Sequence, residues 1–552
     1  MSIGQFDRDQ SLTRFRGEEF DVAIIGGGIN GAAIARDAAM RGLRVALVEA
    51  GDFAGGTSSR SSKLIHGGFR YLPQGQLRLV HAALRERELL RRRTAPHLVH
   101  PVRFLFPAYK GRGYGRFMMS AGLWLYDLFA RMPRAEWHQS LSAARVREME
   151  PALARTGLRG GATYCDAWGD DARLTLENAL DASLHDAAVA NYVAVEGLSK
   201  SHGRIAAAAL RDQVTGDAIE LRARVFVNAA GPWVDHIRRM DDPGAAASVR
   251  LTKGVHVVFS RVALPVHDWL VLTYDEGRVV FVMPHERYVV VGTTDTDYNG
   301  DASSVATDEA DLAYLLAVLA ESLPGIKLGK SDVLSSFAGL RSLVVNGEGS
   351  RTPSAVPREE VILESPSGLI TVAGGKLTTH REIAEKLVNR LVNELGRPIG
   401  GCPTRTTPLP GARVSEAPGD DDVEVLARVP RAAREILVSR YGTRAILPGR
   451  LAVEDPALAT PIVSGFPLVG AEVVHAVRNE MVRRLADFMV RRTSAIWRWP
   501  SEAEAAAPAV ARLMARELKW DASRCESEVA EFANDFAGRR LMSYGGNTST
   551  TT

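Results

Sequence analysis

At 552 residues, with 46% apolar and 24% charged residues, the chain is long enough for several buried cores and too apolar to be disordered. A formal charge of +3 removes any global electrostatic case for nucleic-acid binding, and three scattered cysteines argue against a disulfide framework or a zinc site. The charged first twenty residues lack the apolar stretch of a secretory leader and no apolar run approaches the roughly 20 residues that span a bilayer, so a reducing cytoplasm is expected.

In chain order, the apolar run Phe20 to Ile25 meets three glycines and the alanine-rich Ala32 to Met40, which predicts strand, tight turn and helix. A second strand, Arg44 to Glu49, completes a βαβ unit and calls for a parallel sheet. A Ser-rich loop, Gly55 to Gly68, leads to an Arg-laden amphipathic helix around Gln76 to Arg93. The apolar segment Arg116 to Arg131 fits either a core helix or a helix lying on a bilayer surface. Asp170 and Asp171 suit the start of a helix predicted over Ala172 to Ala190. Short strands at His256 to Phe259, Val279 to Met283 and Tyr288 to Gly292 predict an antiparallel sheet. Gly368 to Ala373 reads as a strand that closes on Gly374-Gly375 and opens a helix over Thr378 to Leu395. Beyond the Pro-rich link Pro403 to Pro410 the chain reads as helical to about residue 540, with a disordered tail after it.

Gly26, Gly28 and Gly31 form G-x-G-x-x-G at the first strand-to-helix junction, where glycine permits a tight turn and lets a pyrophosphate approach the helix N-terminus. Glu49 ends the next strand, the place of an acid that receives ribose hydroxyls. Together these predict a dinucleotide site without choosing between FAD and NAD. A helix opening after Gly374-Gly375 could aim its positive end at a bound cofactor, with Thr378 as cap or cofactor contact. Arg70, Arg341, Arg358 and Lys376 are candidate ligand-binding cations, and three of them, Arg70, Arg341 and Lys376, lie beside glycine-containing backbone with little steric cover. His66 and His256 are candidate bases, and sequence does not place either ring. Thr293, Thr294 and Asp295 either line a pocket or form a simple turn.

Four segments carry a resemblance: Asp21 to Gly31 (DVAIIGGGING), Thr57 to Leu72 (TSSRSSKLIHGGFRYL), Asn228 to Val234 (NAAGPWV) and Gly374 to Arg381 (GGKLTTHR). The chain resembles the FAD-dependent glycerol-3-phosphate dehydrogenase family over most of residues 20 to 395. That resemblance implies FAD as cofactor, oxidation of sn-glycerol 3-phosphate to dihydroxyacetone phosphate, and a quinone acceptor at the membrane. It implies that Gly26, Gly28, Asn30, Gly31, Glu49, Thr57, Ser58, Ser62, Lys63, Leu64, His66, Gly231, Gly375, Lys376, Leu377 and Thr378 hold the cofactor. Arg70, Tyr71, Thr294, Arg341, Arg358 and Lys376 are implied at the substrate, with His256, His66, Arg341 and Lys376 as the catalytic set.

The implied architecture is α/β. A Rossmann-type FAD-binding domain over 18–94, 163–240 and 336–396 joins an antiparallel-sheet substrate domain over 95–162 and 241–335, with a helical cap domain over 405–540 and a tail over 541–552. The expected partners are glycerol 3-phosphate, a quinone, an anionic membrane surface on the inner face of the cell membrane, and a second copy in a homodimer, with no nucleic acid. An oxygen-using oxidase, an amine or amino-acid oxidase and a non-catalytic flavin protein are the alternatives. The arginines Arg478, Arg483, Arg484, Arg491 and Arg492 are expected to make packing and salt-bridge contacts.

Overall fold

The computed structural model describes residues 6–72, 74–111, 115–274, 278–345, 360–396, 400–413 and 420–541. Its first sheet has eight strands, and the central path runs Val361–Glu364, Leu369–Ala373, Ala218–Asn228, Glu19–Ile25, Val45–Val48, Ala188–Ala190. Every pairing from Leu369–Ala373 to Ala188–Ala190 is parallel. Strand Val45–Val48 is buried along its whole length, as a strand covered on both faces must be. One cover is the helix Ile29–Met40, which packs against the helices Asp171–Leu184 and His380–Glu394. Its alanines at 32, 33, 35, 38 and 39 are buried and let the three helices approach closely.

The second sheet has ten strands. Strand Val249–Ser260 pairs antiparallel with both Tyr288–Gly292 and Val333–Val344. From Tyr288–Gly292 the sheet continues through Arg278–Pro284 and Trp269–Tyr274 to Val99–Tyr109, Leu158–Gly169 and Leu64–Ile65. Strands Leu64–Ile65, Leu158–Gly169 and Val333–Val344 all belong to this second sheet, so the sheets divide inside segments 18–94, 163–240 and 336–396. The physical reason for the last two is continuity: each is one long strand whose ladder crosses the expected division.

One further expectation changes. The helix predicted to Ala190 ends at Leu184, and Ala188–Ala190 instead adds a strand beside Val45–Val48. Among the arginines of the helix Leu77–Leu89 and the turn after it, Arg87 is buried on Asp166 at 2.6 Å, and Arg91 meets Glu136 at 2.7 Å. The region after residue 420 is helical, with Phe466, Trp497, Trp499 and Phe532 buried in a core shared with the second sheet. The tail after Leu541 lies outside the described residues.

Burial sets the acid response of this fold. His380 opens the helix His380–Glu394 and His475 sits in Gly470–Asn479; both are buried, and burial pushes each down to about 4. Since the ordinary value is 6.5, the unfolded chain takes up these protons first, so the stabilisation is present above that pH and is lost as pH falls toward 4. Each ring then costs up to about 3 kcal/mol across the window. The variant His380→Gln is expected to flatten the denaturation free energy between pH 6.5 and 4, measured by urea titration at stepped pH.

Candidate active site

The first sheet ends at the glycine turn. Gly26 has φ +113°, and a Cβ there would lie 2.6 Å from the Ala229 carbonyl oxygen. A Cβ on Gly31 would lie 1.9 Å from the Gly26 oxygen, so the helix can start only if position 31 has no side chain. Helix Ile29–Met40 has no side-chain N-cap; the Ile29 amide donates to Ser58 Oγ at 3.0 Å from the neighbouring loop. Its N-terminus opens on a cavity of about 1620 Å³ that runs between the two sheets.

Glu49 lies in the cavity wall and accepts from the Gly27 amide at 2.7 Å and the Gly51 amide at 2.9 Å. Burial raises its carboxyl above the ordinary range in spite of those two bonds. Asn30 donates to the Gly374 carbonyl at 3.3 Å and ties the first glycine turn to the second. Its Oδ1 is buried without a hydrogen-bond partner among the described residues. Thr57 Oγ1 donates to the Leu340 carbonyl at 2.6 Å, and Thr378 Oγ1 accepts from the His66 amide at 3.1 Å. These bonds hold the Ser-rich loop and the second glycine junction at one end of the cavity.

Gly26, Gly28, Asn30, Glu49, Thr57, Ser58, Ser62, Leu64, His66, Gly231, Gly375, Lys376, Leu377 and Thr378 all line this cavity. So do His256 and Arg341, brought from adjacent strands of the second sheet. Gly254 makes room for Arg341, because a Cβ there would fall 2.5 Å from Nη2. Arg341 donates to Thr293 Oγ1 at 3.0 Å, to Asp295 Oδ1 at 3.1 Å and to the Thr294 carbonyl at 3.2 Å. His256 stacks on Phe337 and shares a 2.8 Å hydrogen bond with Ser62 Oγ through Nε2. Burial, with the Arg341 and Lys63 charges in support, pushes its ring down to about 3, so the resting imidazole is neutral.

Some expected residues sit elsewhere. Lys63 is buried with its ammonium on Asp171, because that carboxylate would otherwise be an unpaired charge in the core. Gly31 serves helix-to-turn contact rather than the cavity wall. Thr294 turns its hydroxyl inward to accept from the Val255 amide at 3.0 Å, while its neighbours Thr293 and Asp295 reach the cavity. Tyr71 is buried under Lys376, whose Nζ stands 4.0 Å from the ring centre, and so acts on the site through that ammonium. Arg358 and the side chain of Arg70 lie outside the described residues. Arg60 and Trp233, which fall in the resembling segments without a role assigned to them, complete the walls together with His236 and Val193 to Val195, which no motif marked. Tertiary pairing brings that strand here: the Val193 amide donates to the Glu49 carbonyl and the Tyr192 amide to the Gly51 carbonyl, each at 2.7 Å.

Comparison with known proteins meets this geometry. The family described as FAD dependent oxidoreductase matches residues 21–388, and the C-terminal domain of alpha-glycerophosphate oxidase matches 402–525. The chain belongs to the FAD-dependent oxidoreductase family. The aerobic glycerol-3-phosphate dehydrogenase of Staphylococcus saprophyticus is 37% identical over 511 residues, 90% of each chain. That of Staphylococcus haemolyticus is 35% identical over 539 residues, 95% of each. The solved glycerol-3-phosphate dehydrogenase of Bacillus halodurans, complexed with FAD, superposes with TM-score 0.79 at 30% identity, covering 98% of this chain and 99% of that one. An L-alpha-glycerophosphate oxidase from Mycoplasma pneumoniae shares the fold over 71% of this chain, with TM-score 0.54 and 20% identity.

The residues present fit the family's cofactor. A dinucleotide needs close backbone approach at an uncapped helix N-terminus and an acid for its ribose, and the Gly26–Gly31 turn and Glu49 supply them. Gly31→Ala is therefore expected to abolish retention of FAD, read as loss of the visible flavin absorbance through gel filtration.

Proposed function

We propose that the protein oxidises sn-glycerol 3-phosphate to dihydroxyacetone phosphate and passes the electrons to a quinone at a membrane surface. The observation that carries the substrate reading is the convergence of Arg341 and Lys376 with His256 on the cavity that the glycine turn opens. A phosphate dianion requires several cations, whereas one guanidinium suffices for the carboxylate of an amino acid. Arg70 and Arg358 are proposed to join this set. The relatives named aerobic glycerol-3-phosphate dehydrogenase support the same substrate.

FAD bound in the cavity supplies the two-electron acceptor. The chain's own residues bind and orient the alcohol and remove its proton. His256 is neutral and can accept that proton, and its low basicity at rest comes first from burial and then from the Arg341 charge. A bound phosphate dianion beside Arg341 opposes that charge and raises the basicity of the ring when substrate is present. Ser62, on Nε2, fixes the ring's orientation. Arg341 is held on Asp295 and the Thr294 carbonyl, which points its guanidinium at the developing alkoxide instead of leaving it to search.

The membrane reading rests on the helix Arg116–Ala130. Met119, Leu123 and Tyr126 bury one face, while Met118, Trp124 and Leu128 stand 60%, 55% and 64% exposed on another. A core helix has no reason to keep that second face apolar, and a helix lying on a bilayer does. Leu77, on the adjoining helix, is also exposed. No helix among the described residues is long and apolar enough to cross a membrane.

Anaerobic addition of sn-glycerol 3-phosphate is expected to bleach the flavin, with colour restored faster by a soluble quinone than by oxygen. Faster return with oxygen would make the protein an oxidase. Arg341→Ala is expected to lower kcat/KM by about 10² to 10³ while flavin stays bound, as loss of a transition-state donor does. Replacing Trp124 and Leu128 together by Asp is expected to abolish sedimentation with vesicles of anionic lipid, since each buried side chain contributes about 1.5 to 3 kcal/mol.

A further inference from the structure

We infer that Arg491 and Arg492 of the C-terminal helical region are positioning residues for the dinucleotide site: through Asp52 they fix the loop that carries Glu49 against the glycine turn, so that FAD retention depends on the docking of that region. The inference rests on the family's cofactor occupying the cavity described above.

The loop after Glu49 is short and tightly bonded. The Ala54 amide donates to the Gly27 carbonyl at 3.1 Å, and the Gly55 amide to the Asp52 carbonyl at 2.9 Å. A Cβ on Gly27 would lie 2.7 Å from the Phe53 ring, so the loop rests directly on the glycine turn. Asp52, three residues from Glu49, is buried and has no solvent to compensate its charge. It accepts from Arg492 Nη1 at 2.7 Å, from Arg492 Nη2 at 2.8 Å and from Arg491 Nε at 2.6 Å. A bidentate guanidinium fixes direction as well as charge.

The same arginines are anchored in their own region. Arg491 also pairs with Asp487, and Arg492 donates to the Glu480 carbonyl at 2.8 Å. Asp487 accepts from Tyr192 at 2.7 Å, and Asn191 bridges Asp52 at 3.0 Å to the Met481 carbonyl at 2.9 Å. Tyr192 precedes Val193 to Val195, which line the cavity, and its amide donates to the Gly51 carbonyl at 2.7 Å. Arg491, Arg492, Asp52 and Asp487 thus form a largely buried ionic set between the C-terminal region and two walls of the cofactor cavity.

Buried ionic sets are weak contributors to stability because desolvation offsets their attraction. Their geometric consequence is stronger. If Asp52 loses its partners, the loop must carry an uncompensated charge into water, and Glu49 moves with it. Glu49 also feels the charges of Asp52 and Arg491, although its own burial is the larger influence on its carboxyl.

The test compares holoenzyme variants diluted into FAD-free buffer, with release followed by the return of free-flavin fluorescence and melting measured with and without FAD. Wild type retaining no FAD would refute the cofactor reading itself, which separates that failure from failure of this inference. Asp52→Asn, which weakens three charge-assisted bonds, and Arg491→Met, which removes those to Asp52 and Asp487, are each expected to release FAD at least about tenfold faster. The holo melting temperature should then fall more than the apo one. Arg478→Met, which breaks an exposed pair with Glu517 in the same region, should leave release unchanged. Equal falls in both melting temperatures with unchanged release would overturn the inference and leave the network a structural one. Should Asp52→Asn not accumulate folded, Arg491→Met decides alone, because Arg492 still neutralises Asp52.

Discussion

The structure turns on how closely backbone can approach backbone at one corner. The Gly26 carbonyl occupies the place where a side chain at position 31 would be, and the Ala229 carbonyl occupies the place of one at 26. That contact sets the start of the helix Ile29–Met40, and the helix aligns Asp171–Leu184 and His380–Glu394 beside it. The parallel order of the first sheet then brings Glu49, Ala230 and Gly374 to one edge, where the cavity begins. A small steric fact at two glycines therefore determines which segments can share the site.

The second sheet makes a different contribution. Its long antiparallel strands place His256 opposite both Gly292 and Phe337, with Arg341 two pairings from Gly254 along the same ladder. One neighbour is a glycine and the other an aromatic ring, so the imidazole has room on one side and a stacking surface on the other. Rigid strands suit this task, because they keep the Arg341 guanidinium and the His256 ring in a fixed relative position. Lys63, although it points away, still acts on His256 through its charge.

Much of this was legible in sequence where local chemistry is decisive. The glycine turn, the acid at Glu49 and the strand-glycine-helix at Gly374-Gly375 each need particular residues at particular spacing, and each falls where expected. The family and its fold followed from longer motifs such as Thr57 to Leu72. Side-chain direction was not legible. Lys63 sits between two cavity residues yet faces the core, because its φ of +57° turns the chain and Asp171 awaits it. The two readings of residues 116 to 131 were inseparable by composition, since both the buried and the exposed face of the helix carry large apolar residues. The strand Ala188–Ala190 was hidden for a similar reason: alanine and valine fit a helix end as well as a three-residue strand, and only its neighbour Val45–Val48 decides.

The distribution of charge gives the arginines of the C-terminal region a physical rationale. Apolar residues of similar volume would hold two packed elements together at no desolvation cost. Charge is retained at Asp52, Asp487, Arg491 and Arg492, which are wholly or nearly wholly buried. Burial alone would push the Asp52 carboxyl up, and the charges of Arg492 and Arg491 reverse this and hold it near 2. An apolar contact tolerates sliding by an ångström, whereas a bidentate pair does not. A loop that carries Glu49 into the cavity wall has more use for fixed direction than for adhesion. The cost of burying these ions then goes with a fixed cavity wall, and both guanidinium groups come from the C-terminal helical region, whose described residues add no strand to either sheet.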